Sequence, residues 1–278
     1  MGSHTVSTTV ERRALAVVLV VLVAGLVFFT IRFAGRMPEA ISPIGQEIDS
    51  LFRFLLTVTG VIVIAAHLYL AAVLWRFGDE RAQAPIVRRQ WPWVLVPIGL
   101  LFLADITFDH KSNKIWGKVF GTPPADAFTV EVTGEQFAWA IRYPGKDGKF
   151  GKTDLRNITD DNPLGLDRND PAGKDDIFFP AGQGELHIPV NRPVLFLIKS
   201  KDVLHSFCIP WVRLKMDAVP GMTTKLWFTP SKEGQYEFTC AELCGLGHYK
   251  MRGILIVESS DKLEEWLSQQ PTAADLIP

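Results

Sequence analysis

Cysteine, histidine and methionine crowd into one stretch, Cys240-Ala-Glu-Leu-Cys-Gly-Leu-Gly-His-Tyr-Lys-Met251. Cys240 and Cys244 are four apart, His248 follows four later, and Met251 lies three beyond that. Thiolate, imidazole and thioether are soft-to-borderline donors, a set that suits copper. Gly245 and Gly247 allow a tight bend, so donors close in sequence can converge on one point.

Three other uses of these residues stay open at this level. A disulfide across so small a gap is awkward in geometry, and it leaves His248 and Met251 without a role. Structural zinc needs no thioether, and the spacing matches no common finger. A mononuclear blue-copper site takes one cysteine with histidines and a weak methionine. The second thiolate argues instead for two coppers bridged by both sulfurs. The remaining cysteine, Cys208, sits in the apolar run Phe207-Cys-Ile-Pro210 and reads as a small core residue.

Strands must hold such a loop. Gln235-Tyr-Glu-Phe-Thr239 precedes it and Ile254-Leu-Ile-Val257 follows it, and both read as strands. Upstream, Phe128-Thr-Val-Glu-Val132 alternates as a half-buried strand should. Gln136–Tyr143, Leu186–Val190, Val194–Ile198, a segment at His205 and Thr223–Thr229 follow as further strands. Their close spacing and turn punctuation predict a Greek-key sandwich or barrel over 109–259. Residues 144–184, rich in Gly, Asp, Asn and Pro, read as a long solvated insertion. Ser260 or Asp261 is expected to cap a last short helix, Lys262–Gln269, in the C-terminal segment 260–278.

Three apolar runs precede this domain, at about 14–34, 51–75 and 91–108. Each is close to the ~20 residues that cross a bilayer. The first, behind Arg12-Arg13, also has the outline of a signal peptide. Its length favours a retained helix. Arg76, Arg81, Arg88 and Arg89 crowd the loop between the second and third runs. That places the loop and the N-terminus in the cytoplasm and everything after the third run outside. The expected architecture is therefore a membrane-anchored all-β protein, with a membrane region at 1–108 and an extramembrane domain from 109. His67 and Asp105 lie inside the spans and read as packing or near-surface residues. The formal net charge is −1, which indicates no bulk attraction to nucleic acid. Three cysteines are too few for a disulfide scaffold.

The pattern Cys-x-Glu-x-Cys-x₃-His-x₂-Met follows Val203-Leu-His-Ser-Phe207 and Asp217-Ala-Val-Pro-Gly221. Together they resemble subunit II of the haem–copper respiratory oxidases, in the form that carries the dinuclear copper centre CuA. The resemblance implies a cupredoxin fold. It implies that His205 and Met251 complete one copper and that His248 and the Glu242 carbonyl complete the other, with Cys240 and Cys244 bridging both. It also implies a magnesium reached by the Glu242 side chain at the junction with the haem-bearing subunit I. Electrons would come from a cytochrome c type donor and pass to haem in subunit I for oxygen reduction. The setting implied is the inner membrane of a bacterium, with the copper domain on the periplasmic face. The arginine distribution gives the same orientation independently.

Some positions depart from the family pattern. In Gln136-Phe-Ala-Trp139, Phe137 stands where mitochondrial-type members have the electron-entry tryptophan. Phe137, Trp139, Asp202 and Asp217 form the expected electron-entry and donor-docking set. Lys201 stands where an acid is often found, and Gln90 where many relatives have a glutamate ahead of the tryptophan aligned with Trp93. Two other readings remain. One is a CuA-carrying nitric oxide reductase, which the loss of the acid at Gln90 fits. The other is a free-standing membrane cupredoxin, against which the three spans and the retained Glu242 count. No Cys-x-x-Cys-His motif occurs in these 278 residues, so no fused c-type cytochrome domain is expected within them.

Overall fold

The computed structural model describes residues 3–33, 37–77 and 90–277. Arg81, Arg88 and Arg89, and the end of the first expected span at Ala34, lie outside those residues. The chain divides into two compact units, Met1–Pro38 with Ser50–Asn113, and Glu39–Asp49 with Lys114–Pro278.

Three helices supply the apolar runs: α1 (Ser3–Phe33), α2 (Pro43–Arg76) and α3 (Trp91–Val119). All three are long and apolar enough to cross a membrane. Large side chains such as Leu22, Phe28, Leu100 and Phe102 point outward, as they do where lipid is the solvent. His67 Nδ1 lies 2.8 Å from the Val63 carbonyl one turn earlier, so its helix satisfies that nitrogen locally. The helix α3 outlasts its apolar run. Residues from Asp109 read as a connector, yet the helix continues through Lys111 and Lys114 to Val119. Lysine is a good helix former, so the backbone carries on where hydropathy stops.

The second unit is a sandwich of ten strands. They are β1 (Phe128–Glu135), β2 (Ala138–Tyr143), β3 (Ile177–Phe179), β4 (Leu186–Pro189), β5 (Val194–Ser200), β6 (His205–Ile209), β7 (Leu214–Ala218), β8 (Thr224–Phe228), β9 (Gly234–Cys240) and β10 (Arg252–Glu258). One sheet runs β3-β2-β1-β5-β8 and the other β4-β10-β9-β6-β7. The pairs β1–β5 and β10–β4 are parallel. A tight hairpin cannot make a parallel pair, so the chain crosses between sheets. This is the β-sandwich expected of a cupredoxin domain.

Period-two alternation builds the core. Val194, Phe196 and Ile198 turn inward from β5, and His205, Phe207 and Ile209 turn inward from β6. Phe207 meets Phe196 across the sandwich at 5.4 Å between ring centres, and Phe238 on its own sheet at 5.2 Å. The same alternation that seats Phe207 in the core therefore carries His205 to the inner face at the start of β6.

The insertion is less solvated than its composition suggests. Glu131 and Arg142 face each other across β1 and β2. Arg142 donates to both Glu131 oxygens at 2.9 Å, and to Asp176 of the insertion at 3.0 Å. All three side chains are buried. Burial follows because the insertion folds back here: the Arg142 guanidinium lies over the Phe150 ring, the Gly151 carbonyl accepts from Arg142, and the Gly151 N–H donates to Asp176. Beyond the sandwich, α4 (Ser260–Ser268) is capped one residue earlier than expected. The Ser259 side chain accepts from the Lys262 N–H.

Candidate metal centre

The stretch rich in cysteine and histidine joins β9 to β10. Cys240 is the last residue of β9, and its N–H donates to the Met251 carbonyl at 2.8 Å, closing the base of the loop. The Ala241 N–H donates to the Ser206 carbonyl at 2.9 Å, which ties the loop to β6 beside His205. From the other sheet's side, Gln136 Nε2 donates to the Cys244 carbonyl at 2.6 Å. His248 opens a short 3-10 turn, His248–Lys250, that returns the chain to Met251.

These ties bring the donors together. One ligand atom each from His205, Cys240 and Cys244 lie within 4.8 Å of one another, and all three residues are buried. Met251 Sδ is 3.2 Å from Cys244 Sγ, and His248 Nδ1 is 3.6 Å from the same sulfur. The Glu242 carbonyl accepts from Cys240 Sγ at 3.2 Å. Met251 is buried, while His248 and Glu242 are half-buried. All three cysteines are free thiols. Burial, then the neighbouring Cys240, pushes the Cys244 thiol up to about 11.

His205 supplies the sharpest test of whether these residues fit a metal. Its Nε2 lies 2.8 Å from Asp202 Oδ1. Burial works against the Asp202 carboxylate, but bonds from His205 and from the Gln136 and Val203 N–H groups hold its pKa below the ordinary value. An ionised carboxylate only accepts, so Nε2 carries the proton. Nδ1 then has a free lone pair, and it is buried with no hydrogen-bond partner. A buried polar atom rarely goes unpaired, and a carboxylate on the far nitrogen is the usual support of a metal-bound histidine. The soft donor set and this unpaired nitrogen fit copper. The thioether is surplus to a zinc finger, and the second thiolate is surplus to a mononuclear blue-copper site.

Two glycines permit the packing. Gly245 has φ of +135°, a conformation that favours glycine. At Gly247 a Cβ would fall 2.4 Å from the Phe137 ring. Phe137 therefore lies against the loop backbone, half-buried. Trp139 is buried, edge-on to His205 at 5.9 Å and to Phe207 at 5.4 Å. Asp202, before β6, and Asp217, on β7, are both exposed. Lys201 pairs with Glu135 at 2.6 Å. Leu243, Leu246 and Tyr249 project from the loop into solvent. The sequence reading gave no positional role to Gln136, whose contact with Cys244 spans more than a hundred residues and leaves no local signal.

A profile described as cytochrome C oxidase subunit II, periplasmic domain, matches residues 128–259. The alternative cytochrome c oxidase subunit 2 of Bradyrhizobium diazoefficiens is 39% identical over 267 residues, covering 95% of this chain and 94% of that protein. Cytochrome c oxidase subunit 2 of Cereibacter sphaeroides is 30% identical over 251 residues, covering 84% and 79%. The crystal structure of the periplasmic domain of subunit II of cytochrome oxidase from Bradyrhizobium japonicum is 27% identical, with a TM-score of 0.39, covering 53% of this chain and 95% of that one. Identity of 39% runs through nearly the whole of both chains, and the loop from Cys240 to Met251 lies inside the matched domain. The chain belongs to the cytochrome c oxidase subunit II family.

Proposed function

We propose that this chain is the electron-entry subunit of a bacterial haem–copper oxidase, taking electrons from a cytochrome c type donor and delivering them to haem in subunit I. The observation that carries this reading is the convergence of His205, Cys240, Cys244, His248, Met251 and the Glu242 carbonyl around one buried point, with His205 Nδ1 unpaired. These six would hold a dinuclear copper centre, and copper supplies one-electron oxidation and reduction there. The chain's own residues do the rest. Asp202 fixes the His205 tautomer, Gln136 pins the loop at Cys244, and the packing of Phe207 and Met251 keeps water out. Low water content limits the rearrangement that accompanies a change of charge.

Phe137 lies between the loop backbone and solvent and would form the entry point for electrons. Trp139, buried against His205, would support that path from within. Asp202 and Asp217 would help orient a cationic donor. The Glu242 carboxylate would reach a magnesium at the junction with subunit I. The copper domain would lie on the periplasmic face of the inner membrane. Neither the nitric oxide reductase reading nor the free-standing cupredoxin reading gains an observation of its own.

The test uses the complex purified from membranes. Wild type should co-purify with a haem-bearing partner and oxidise reduced cytochrome c. Cys244→Ser should keep the partner's haem spectrum and lose that oxidation. A chain that purifies without haem, or a Cys244→Ser complex with undiminished turnover on cytochrome c, would contradict the proposal.

A further inference from the structure

An open apolar cleft of about 470 Å³ runs between α1 and α2, lined by Ala16, Val17 and Val20 on one side and Leu68, Ala72 and Trp75 on the other. Ala16 and Ala71 are buried, and small side chains let the helices approach closely. One end of this cleft is basic. The Arg13 guanidinium lies 5.5 Å from the centre of the Trp75 ring. Arg12 stands beside it in α1, and Arg76 follows Trp75 in α2. All three arginines are exposed, and the ion pairs found among the described residues involve none of them. The two helices meet antiparallel, so the start of α1 and the end of α2 bring the three cations to the same end.

We propose that this cleft seats one acyl chain of an anionic bilayer phospholipid, with the phosphate held by Arg12, Arg13 and Arg76. The long, almost wholly hydrocarbon lining suits an acyl chain. The guanidinium fork suits phosphate, which it binds with paired hydrogen bonds. Tryptophan beside arginine is the side-chain pair of a membrane–water interface. A wholly apolar helix from another subunit would fill the apolar part but leave the three cations with no ion-pair partner among the described residues. A neutral lipid would do the same. A phospholipid of net negative charge meets both demands at once. This inference does not depend on the metal centre.

The experiment takes the full chain in its purified complex, reconstituted in nanodiscs of phosphatidylcholine containing phosphatidylglycerol, and reads bound lipid by native mass spectrometry. One phosphatidylglycerol per chain should survive activation that strips phosphatidylcholine. The triple variant Arg12→Gln, Arg13→Gln, Arg76→Gln should weaken retention by about tenfold or more, since a surface cation contributes about fivefold toward an anionic lipid. Ala72→Phe fills the cleft from an exposed position, leaving the buried Ala16 and Ala71 unchanged, and should also weaken retention with the cations intact. Haem content of the complex, measured alongside, reports that each variant is assembled. Equal retention of the two lipids would overturn the proposal, as would retention unchanged in either variant. So would a mature chain whose mass lacks α1, or a photo-crosslinker at Val21 that captures a polypeptide instead of lipid.

Discussion

Asp202 accepts from His205 Nε2 through one oxygen at 2.8 Å and from the Gln136 N–H through the other at 2.7 Å. It therefore orients the His205 ring, the proposed copper ligand, as well as carrying surface charge, whereas Asp217 stands exposed on β7 and does only the second. Asp202→Asn should lower copper affinity by about ten- to hundredfold, as loss of a supporting carboxylate does, and should weaken the salt dependence of cytochrome c oxidation. Asp217→Asn should change only the salt dependence. Equal metal affinity in the two variants, measured by competition with a chelator, would remove Asp202 from its orienting role. Gly247 makes a second prediction at this scale. An added Cβ would meet the Phe137 ring at 2.4 Å, so Gly247→Ala should cost about 1–3 kcal/mol by overpacking. Phe137→Ala in the same chain should restore part of that loss in denaturant unfolding. A double variant no more stable than the sum of the single effects predicts would mean that the two do not touch. The clustering of Cys240, Cys244, His248 and Met251 was legible because they lie within twelve residues of one another in sequence. The second use of Asp202 was not, because it depends on how the turn before β6 aims the carboxylate back at the ring.

At the level of elements, strands and spans were readable from alternation and apolar runs. The interior of the insertion was not. Glu131 and Arg142 look like the solvated face of a two-strand ribbon until residues 150–176 fold over them. The aspartate from that segment gives a pH signature. Burial pushes the Asp176 carboxyl up to about 6, against the pull of Arg142 and the Gly151 N–H. The folded chain thus holds a proton that the unfolded chain releases near 3.8. Stability from this group is greatest in acid and falls as pH rises from about 4 to about 6, by about 3 kcal/mol, then stays level. Asp176→Asn cannot titrate. Subtracting its stability profile from that of wild type should leave a decline confined to this window. A flat difference curve would show that Asp176 keeps an ordinary pKa. The overrun of α3 past Phe108 escaped the sequence for another reason: hydropathy marks where lipid ends, and nothing in that signal marks where a helix ends.

For the whole molecule, three helices long and apolar enough to cross a membrane precede a sandwich that matches the family's periplasmic domain, and the proposed orientation puts that sandwich outside the cell membrane. Arg156, with 88% of its side chain exposed, is a natural trypsin site on that sandwich. Trypsin added to spheroplasts should cut there, and inverted membrane vesicles should protect it. Cutting only in inverted vesicles would reverse the orientation. The most direct test of the central claim is the metal content and electron paramagnetic resonance spectrum of the chain purified in its complex. The account predicts two coppers per chain and a hyperfine pattern from one unpaired electron shared equally by two copper nuclei, with the shared pattern lost in Cys240→Ser. One zinc per chain and no copper, or a pattern from a single copper nucleus that survives in Cys240→Ser, would contradict it.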